Sequence, residues 1–176
     1  MGVVSDLSSE QQNTVAEDPE SAQSEEELTP VQQQNTIFVD ASGQIAGRMC
    51  SKVAAALLSG KRVVVLNSEN ALISGRSNSV FRQWQARLEI YSHVNPIYGP
   101  IHPRRPDNIV RRMVRGMVPK TKAKGTSAMG RLRVYMGVPE KYAGVKMSKF
   151  EDALAPRPLP NYTTIAEISK NIGWNG

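Results

Sequence analysis

Ten basic residues fall between Arg104 and Arg133 against a single acid, Asp107. They are Arg104, Arg105, Arg111, Arg112, Arg115, Lys120, Lys122, Lys124, Arg131 and Arg133. Their natural chemistry is anion binding. Arginine presents a planar fork that donates two parallel hydrogen bonds to phosphate, and lysine supplies a mobile point charge. The spacing organises the arginines further. At about 100° per residue, Ile109, Val110, Met113, Val114, Met117 and Val118 fall on one half of a helical wheel, and Arg111, Arg112 and Arg115 on the other. Asp107 is the expected N-cap, and Pro119 ends the helix by disfavouring the helical conformation at Val118.

Three readings of this segment compete. A merely solvated helix face would interleave Glu and Asp with its arginines, and Asp107 alone is present. A basic amphipathic helix can also lie on an anionic membrane or bind calmodulin. Here the apolar face lacks Trp and Phe, and the surrounding domain needs it for its core. A helix of fixed arginines beside a lysine-rich loop can instead follow an irregular phosphate backbone, such as structured RNA offers.

Catalytic chemistry finds less to work with. "ASGQIAG" contains Gly43 and Gly47 but fits neither dinucleotide nor P-loop spacing. Asp40 ends a predicted strand, where an α/β enzyme can place a carboxylate, although a capping or turn role suits it better. His93, His102 and the single cysteine, Cys50, are too few and too scattered for a metal centre. Cys50 also falls on an apolar stripe, as a small buried side chain would. No cofactor is expected, and the chain reads as a non-enzyme.

The elements that must position these residues are signalled clearly. "TIFVD", Thr36 to Asp40, reads as a β-branched strand. Ile45, Met49, Val53 and Leu57 recur four apart, with Ala46, Cys50 and Ala54 beside them, predicting a helix capped by Ser42 and stopped by Gly60. Arg48 and Lys52, also four apart, point away from that stripe and are further RNA-contact candidates. "RVVVLN", Arg62 to Asn67, has the uninterrupted apolar character of a strand buried on both faces. "ALISG" suggests a short extended piece, and Val80, Phe81, Trp84 and Leu88 a helix with Arg82 and Arg87 on its polar side. A proline-rich loop follows from Ser92 to Pro106, then the basic helix and a strand at Arg131 to Gly137. A C-terminal helix carries a Thr164–Glu167 capping box, Ile165, Ile168 and Ile172 on one face, and Gly173 as its stop. Strand and helix in this order predict an α/β fold: a three-layer domain with helices flanking a small, mostly parallel sheet.

Charge divides the chain sharply. Residues 1–35 hold eight acids and no Lys or Arg, whereas residues 36–176 carry all 22 Lys and Arg against the other eight acids, a net of +14. The first segment is rich in Gln, Ser and Glu and has no aromatic residue, so it is expected to be a disordered acidic extension. Residues 36–176 form the expected domain. Its excess of one sign repels itself and calls for an anionic partner. Gly2 opens a pattern similar to that for myristoylation, but Asp6 stands where the motif wants Ser or Thr. The start of the chain lacks the basic and apolar regions of a signal peptide. The longest apolar run, Val53 to Leu58, is far short of a membrane span. A cytoplasmic protein without a membrane partner is expected.

Particular residues also resemble a known family. "VRGMVPKTKAKG", continuing through "AMGRLRVYMGVPEKY", resembles the signature region of the large-subunit ribosomal protein family numbered thirteen (L-thirteen). "FVDASGQIAGRMCSKVAAALLSGKRVVVLNSENALISG" is similar to its N-terminal half, and "GPIHPRRPDNIVRRMVRGM" and "YTTIAEISKNIGW" to its archaeal and eukaryotic version. The resemblance covers residues 36–176. It implies a constituent of the large ribosomal subunit that contacts ribosomal RNA, enters assembly early and neighbours other large-subunit proteins. It implies RNA contact through Arg111, Arg112, Arg115, Gly116, Met117, Pro119 and the lysines that follow. An extra-ribosomal regulatory role in RNA binding is compatible with the same surface. The acidic extension lies outside the family pattern. "KTKAKGTSAMG" has weaker helix formers than the family shows there, which argues against a continuous helix from Thr121.

Overall fold

The computed structural model describes residues 35–156 and 158–176. The acidic extension, Asn35 apart, lies outside them. Strand β1 (Thr36–Asp40) leads through helix α1 (Ala46–Leu58) into β2 (Arg62–Leu66), and the two strands pair in parallel, Thr36 opposite Arg62 and Asp40 opposite Leu66. Strand β4 (Leu132–Val134) joins the other side of β2, also in parallel, to give the order β1-β2-β4. The sheet is therefore α/β in character and small, as the alternation of elements predicts. A second, two-stranded sheet pairs β3 (Leu72–Ser74) with β5 (Tyr162–Thr164) antiparallel.

Strand side chains alternate between faces, and the packing clusters follow that period. Val39, Val63, Val65 and Leu132 join the main core with Met49, Cys50, Val53 and Leu57 of α1. Phe38, Val64 and Leu66 face the other way, against Tyr135, Tyr142 and Val145. Residues 63–66 of β2 are accordingly all buried. The far face is covered by a segment with a short 3-10 turn, Glu140–Tyr142, that supplies the third layer.

Helix α1 uses the expected stripe: Ala46, Met49, Cys50, Val53, Ala54 and Leu57 are buried, with Gly60 in the left-handed region beyond its end. Its start differs from expectation. Ser42 caps nothing; the N-cap is Ile45, without a side-chain bond. The Ser42 N–H donates instead to Asp40 Oδ1 at 3.1 Å, holding a turn that Gly43 completes at φ +75°. Asp40 also accepts from Asn67 Nδ2 at 2.8 Å and pairs with Lys149 Nζ at 3.0 Å. Burial raises the Asp40 pKa, but these donors outweigh it and hold the carboxyl down at about 2. Asp40 thus ties a turn together, as a strand-end aspartate often does.

Helix α2 (Ser77–Leu88) buries Val80 fully and Trp84 and Leu88 in part, with the Arg87 guanidinium 5.1 Å over the Trp84 ring. Helix α3 (Pro106–Met117) packs on α1, β4 and the C-terminal helix α5 (Ile165–Asn171). The α5 capping box is present in both directions: the Glu167 N–H donates to Thr164 Oγ1 at 3.2 Å and the Thr164 N–H to Glu167 Oε2 at 3.3 Å. Helix α4 (Ala123–Gly130) begins after a break at Pro119–Lys122, so most of "KTKAKGTSAMG" is helical despite its weak helix formers, against the sequence expectation. The strand expected from Arg131 to Gly137 is shorter. Arg131 closes α4, and Gly137 turns the chain at φ +62°.

Candidate nucleic-acid interface

Helix α3 begins two residues earlier than an Asp107 cap predicts. Pro106 takes its first turn, where a missing N–H costs nothing, and Arg105 stands at the N-cap without a side-chain bond. Asp107 is inside the helix rather than capping it. Its carboxylate accepts from the Asn108 N–H at 2.8 Å and meets Arg105 Nε at 3.3 Å. The apolar half of the wheel is largely confirmed: Ile109, Val110, Val114 and Val118 are buried and Met113 is half-buried. Met117 departs from it at 42 % exposure. Its angle on the wheel is right, but the last turn outruns what the helix packs against. Even a Cβ added at neighbouring Gly116 would meet nothing within 4 Å.

Arg111, Arg112 and Arg115 lie exposed on the opposite half. With Lys120 they line a groove of about 650 Å³ between α3, the loop at Ile101–Pro103 and the start of α4. No carboxylate lines it. Arg112 donates to the Ile101 carbonyl and is thereby fixed in place. Among the described residues, Arg111, Arg115 and Lys120 have no hydrogen-bond or ion-pair partner. Like charges four apart on a helix cost about 0.2–0.5 kcal/mol. Arg115 recovers part of this by complementing the carbonyl end of the helix, but Arg111 sits too far back to do so.

The other wall of the groove depends on a close approach. Gly125, buried in the first turn of α4, lies against Pro119 so closely that a Cβ there would fall 2.0 Å from the Pro119 carbonyl oxygen. This contact folds the lysine segment back toward α3. Lys122 and Lys124 remain exposed beside it, Lys122 as the N-cap residue of α4.

The remaining basic residues singled out by sequence lie elsewhere. Arg48 and Lys52 occupy the outer face of α1, where Lys52 Nζ meets Asp152 Oδ2 at 2.7 Å and Arg48 Nη1 donates to the Asp152 carbonyl at 3.4 Å. The Lys52 contact and charge keep the Asp152 carboxyl below its usual range. Arg104 is exposed, with its guanidinium beside Gly173. Arg131 Nη2 donates to the Leu57 carbonyl at 2.8 Å, closing the end of α1, and Arg133 Nη1 donates to the Gly130 carbonyl at 2.9 Å. Sequence reasoning missed Gly125, Asn108 and Thr126 as groove residues. A glycine among lysines carries no signal until its packing partner is known.

Groups that could support other chemistry are occupied or inaccessible. Burial pushes the Cys50 thiol up to about 12, so it remains a protonated core side chain. His102 Nε2 lies 2.9 Å from the Ile90 carbonyl, and the His93 ring packs tilted against Tyr91, 4.6 Å between centres. No cluster of three or more metal-ligating side chains occurs among the described residues, and no helix there is long and apolar enough to cross a membrane.

Fold and groove together define a basic α/β protein whose cationic surface is mounted on the outside of an ordinary core. Comparison with known proteins makes this specific. The model of the family described as Ribosomal protein L13 matches residues 34–141, and the chain belongs to that family. It is 44% identical over 140 residues to the "Large ribosomal subunit protein uL13" of Archaeoglobus fulgidus, covering 78% of this chain and 88% of that one. The protein of the same name from Saccharolobus solfataricus is 40% identical over 149 residues, covering 84% and 99%. That of Methanococcoides burtonii is 42% identical over 136 residues, covering 77% and 96%.

Proposed function

We propose that this chain is a non-enzymatic constituent of the large ribosomal subunit and binds ribosomal RNA through the α3–α4 groove during subunit assembly. The observation that carries this reading is the groove itself, in which Arg111, Arg115 and Lys120 converge with no anion among the described residues to satisfy them. Family membership supports a ribosomal setting. The chemistry is phosphate neutralisation with release of counterions, and the buried face of α3 keeps the arginines in register. In this reading the domain comprises residues 36–176, neighbouring large-subunit proteins are its further partners, and its location is that of the ribosome.

Replacing Arg111 and Arg115 together by glutamine tests this directly, because neither side chain has a partner within the described fold to lose. RNA affinity should fall, and the slope of log affinity against log salt should shrink by about 0.7–0.9 for each phosphate contact removed. A double variant that kept the wild-type slope and sedimented with large subunits as before would overturn the reading.

A further inference from the structure

A second basic recess lies on the far face of the three-stranded sheet. Thr36, Arg62, Val64, Arg133, Tyr135, Lys141 and Tyr142 line about 220 Å³ of space there, together with Gly130 and Arg131. Strand register explains the assembly. Thr36 pairs with Arg62 and Val64 with Arg133, so alternation sends their side chains to the face away from α1. No carboxylate lines the recess. Lys141 is exposed and held with its ammonium 5.5 Å from the Tyr142 ring centre. Arg131 spends one guanidinium nitrogen on Leu57, and its Nε is buried with no partner among the described residues. Burial, then the charge and hydrogen bond of Tyr135, push Tyr142 up to about 12. Its hydroxyl therefore stays protonated, paired with Tyr135.

This recess is connected to the groove. Arg111 of α3 and Arg133 of β4 line one narrow crevice of about 80 Å³ at the edge of the sheet. Asp107 borders it too, but that carboxylate is already engaged by Arg105 and the Asn108 N–H. Four cationic side chains, Arg62, Arg131, Arg133 and Lys141, line the 220 Å³ recess and suit a single phosphate. The volume is below the roughly 300 Å³ at which small-molecule sites begin, yet it admits a phosphate and a few waters at about 30 Å³ each.

We propose that the recess formed by Arg62, Arg133, Lys141 and the Tyr135–Tyr142 pair binds a backbone phosphate, so that RNA held in the α3–α4 groove continues around edge strand β4 onto the far face of the sheet. This rests on the RNA reading of the groove. Lysine acetylation of the full chain, with and without protein-free large-subunit ribosomal RNA, tests the two separately. Lys141 and Lys120 should both react at least several-fold more slowly with RNA present, while Lys170 on α5 is unchanged. Protection of Lys120 without protection of Lys141 overturns the far-face site and leaves the groove standing. Protection of neither overturns both. As a second measurement, the Arg133→Gln, Lys141→Gln double variant, shown by circular dichroism to be folded, should lower the salt slope by about 0.7 per lost contact with single-stranded RNA. An unchanged slope overturns the far-face site.

Discussion

Gly116 and Gly125 stand nine positions apart near the same surface, and their surroundings require opposite consequences of the same substitution. At Gly125 a methyl group would collide with the Pro119 backbone, which cannot move aside as a flexible side chain could. Gly125→Ala should therefore destabilise the domain by about 1–3 kcal/mol, in line with overpacking elsewhere, and displace the lysine segment. At Gly116 the space is open and the backbone is helical. Gly116→Ala should stabilise the free protein by up to about 1 kcal/mol through helix propensity. Thermal unfolding of the two variants checks both signs, and equal shifts would contradict the geometry. Sequence alone could not separate these glycines, because neither residue type nor spacing reveals what faces an absent side chain. The arginines were easier. A face of Arg111, Arg112 and Arg115 follows from angular period alone, whereas the inward duty of Arg131 depends on where α1 ends in space.

Individual elements were legible in proportion to how local their determinants are. The α5 helix was readable to the residue because capping box, apolar stripe and stopping glycine all lie within ten consecutive positions. Thr164→Ala removes the side-chain oxygen that accepts the Glu167 N–H and should cost about 1 kcal/mol. Chemical denaturation measures this, and a change below a few tenths would mean that tertiary contacts alone hold the helix start. The α1 start was misread because Ser42 has the right side chain for a cap but is drawn to Asp40 by the turn between strand and helix. Strand β5 had no signal at all. Three residues in a proline-rich stretch become a strand through pairing with Leu72–Ser74, a distant partner that no local pattern announces. The basic helix departs at both ends, by two residues at its start and by the outward Met117, since periodicity fixes direction around an axis but not where the supporting core stops.

At the scale of the molecule, composition alone exposed the electrostatic division and pointed to a polyanion, and the alternation of elements gave the α/β class with its parallel sheet. What composition could not give was the sorting of the basic residues. Of those singled out, Lys52 is paired on α1, Arg131 closes that helix, and Arg111, Arg115 and Lys120 share the groove. The eight acids of residues 1–35 precede a domain of net charge +14, so the extension should compete weakly with RNA for the basic surface. Deleting residues 1–34 is expected to raise non-specific RNA binding several-fold at low salt. The difference should fade above about 0.1 M, where the Debye length falls to about 10 Å. Equal binding by both forms across the salt range would leave the extension without this role.

Strand β2 has a further consequence, for the order in which the chain can fold. Its neighbours are β1, made just before it, and β4, which arrives long after: Val63 must wait for Leu132. Until then a β-hydrophobic strand has one edge unpaired, and long-range parallel pairing is slow to form. During synthesis the α1–β2 unit therefore emerges with an open, sticky flank, and the same passage of chain that carries the arginine face must be completed before that flank is closed. Basic surface and finished sheet come into existence together.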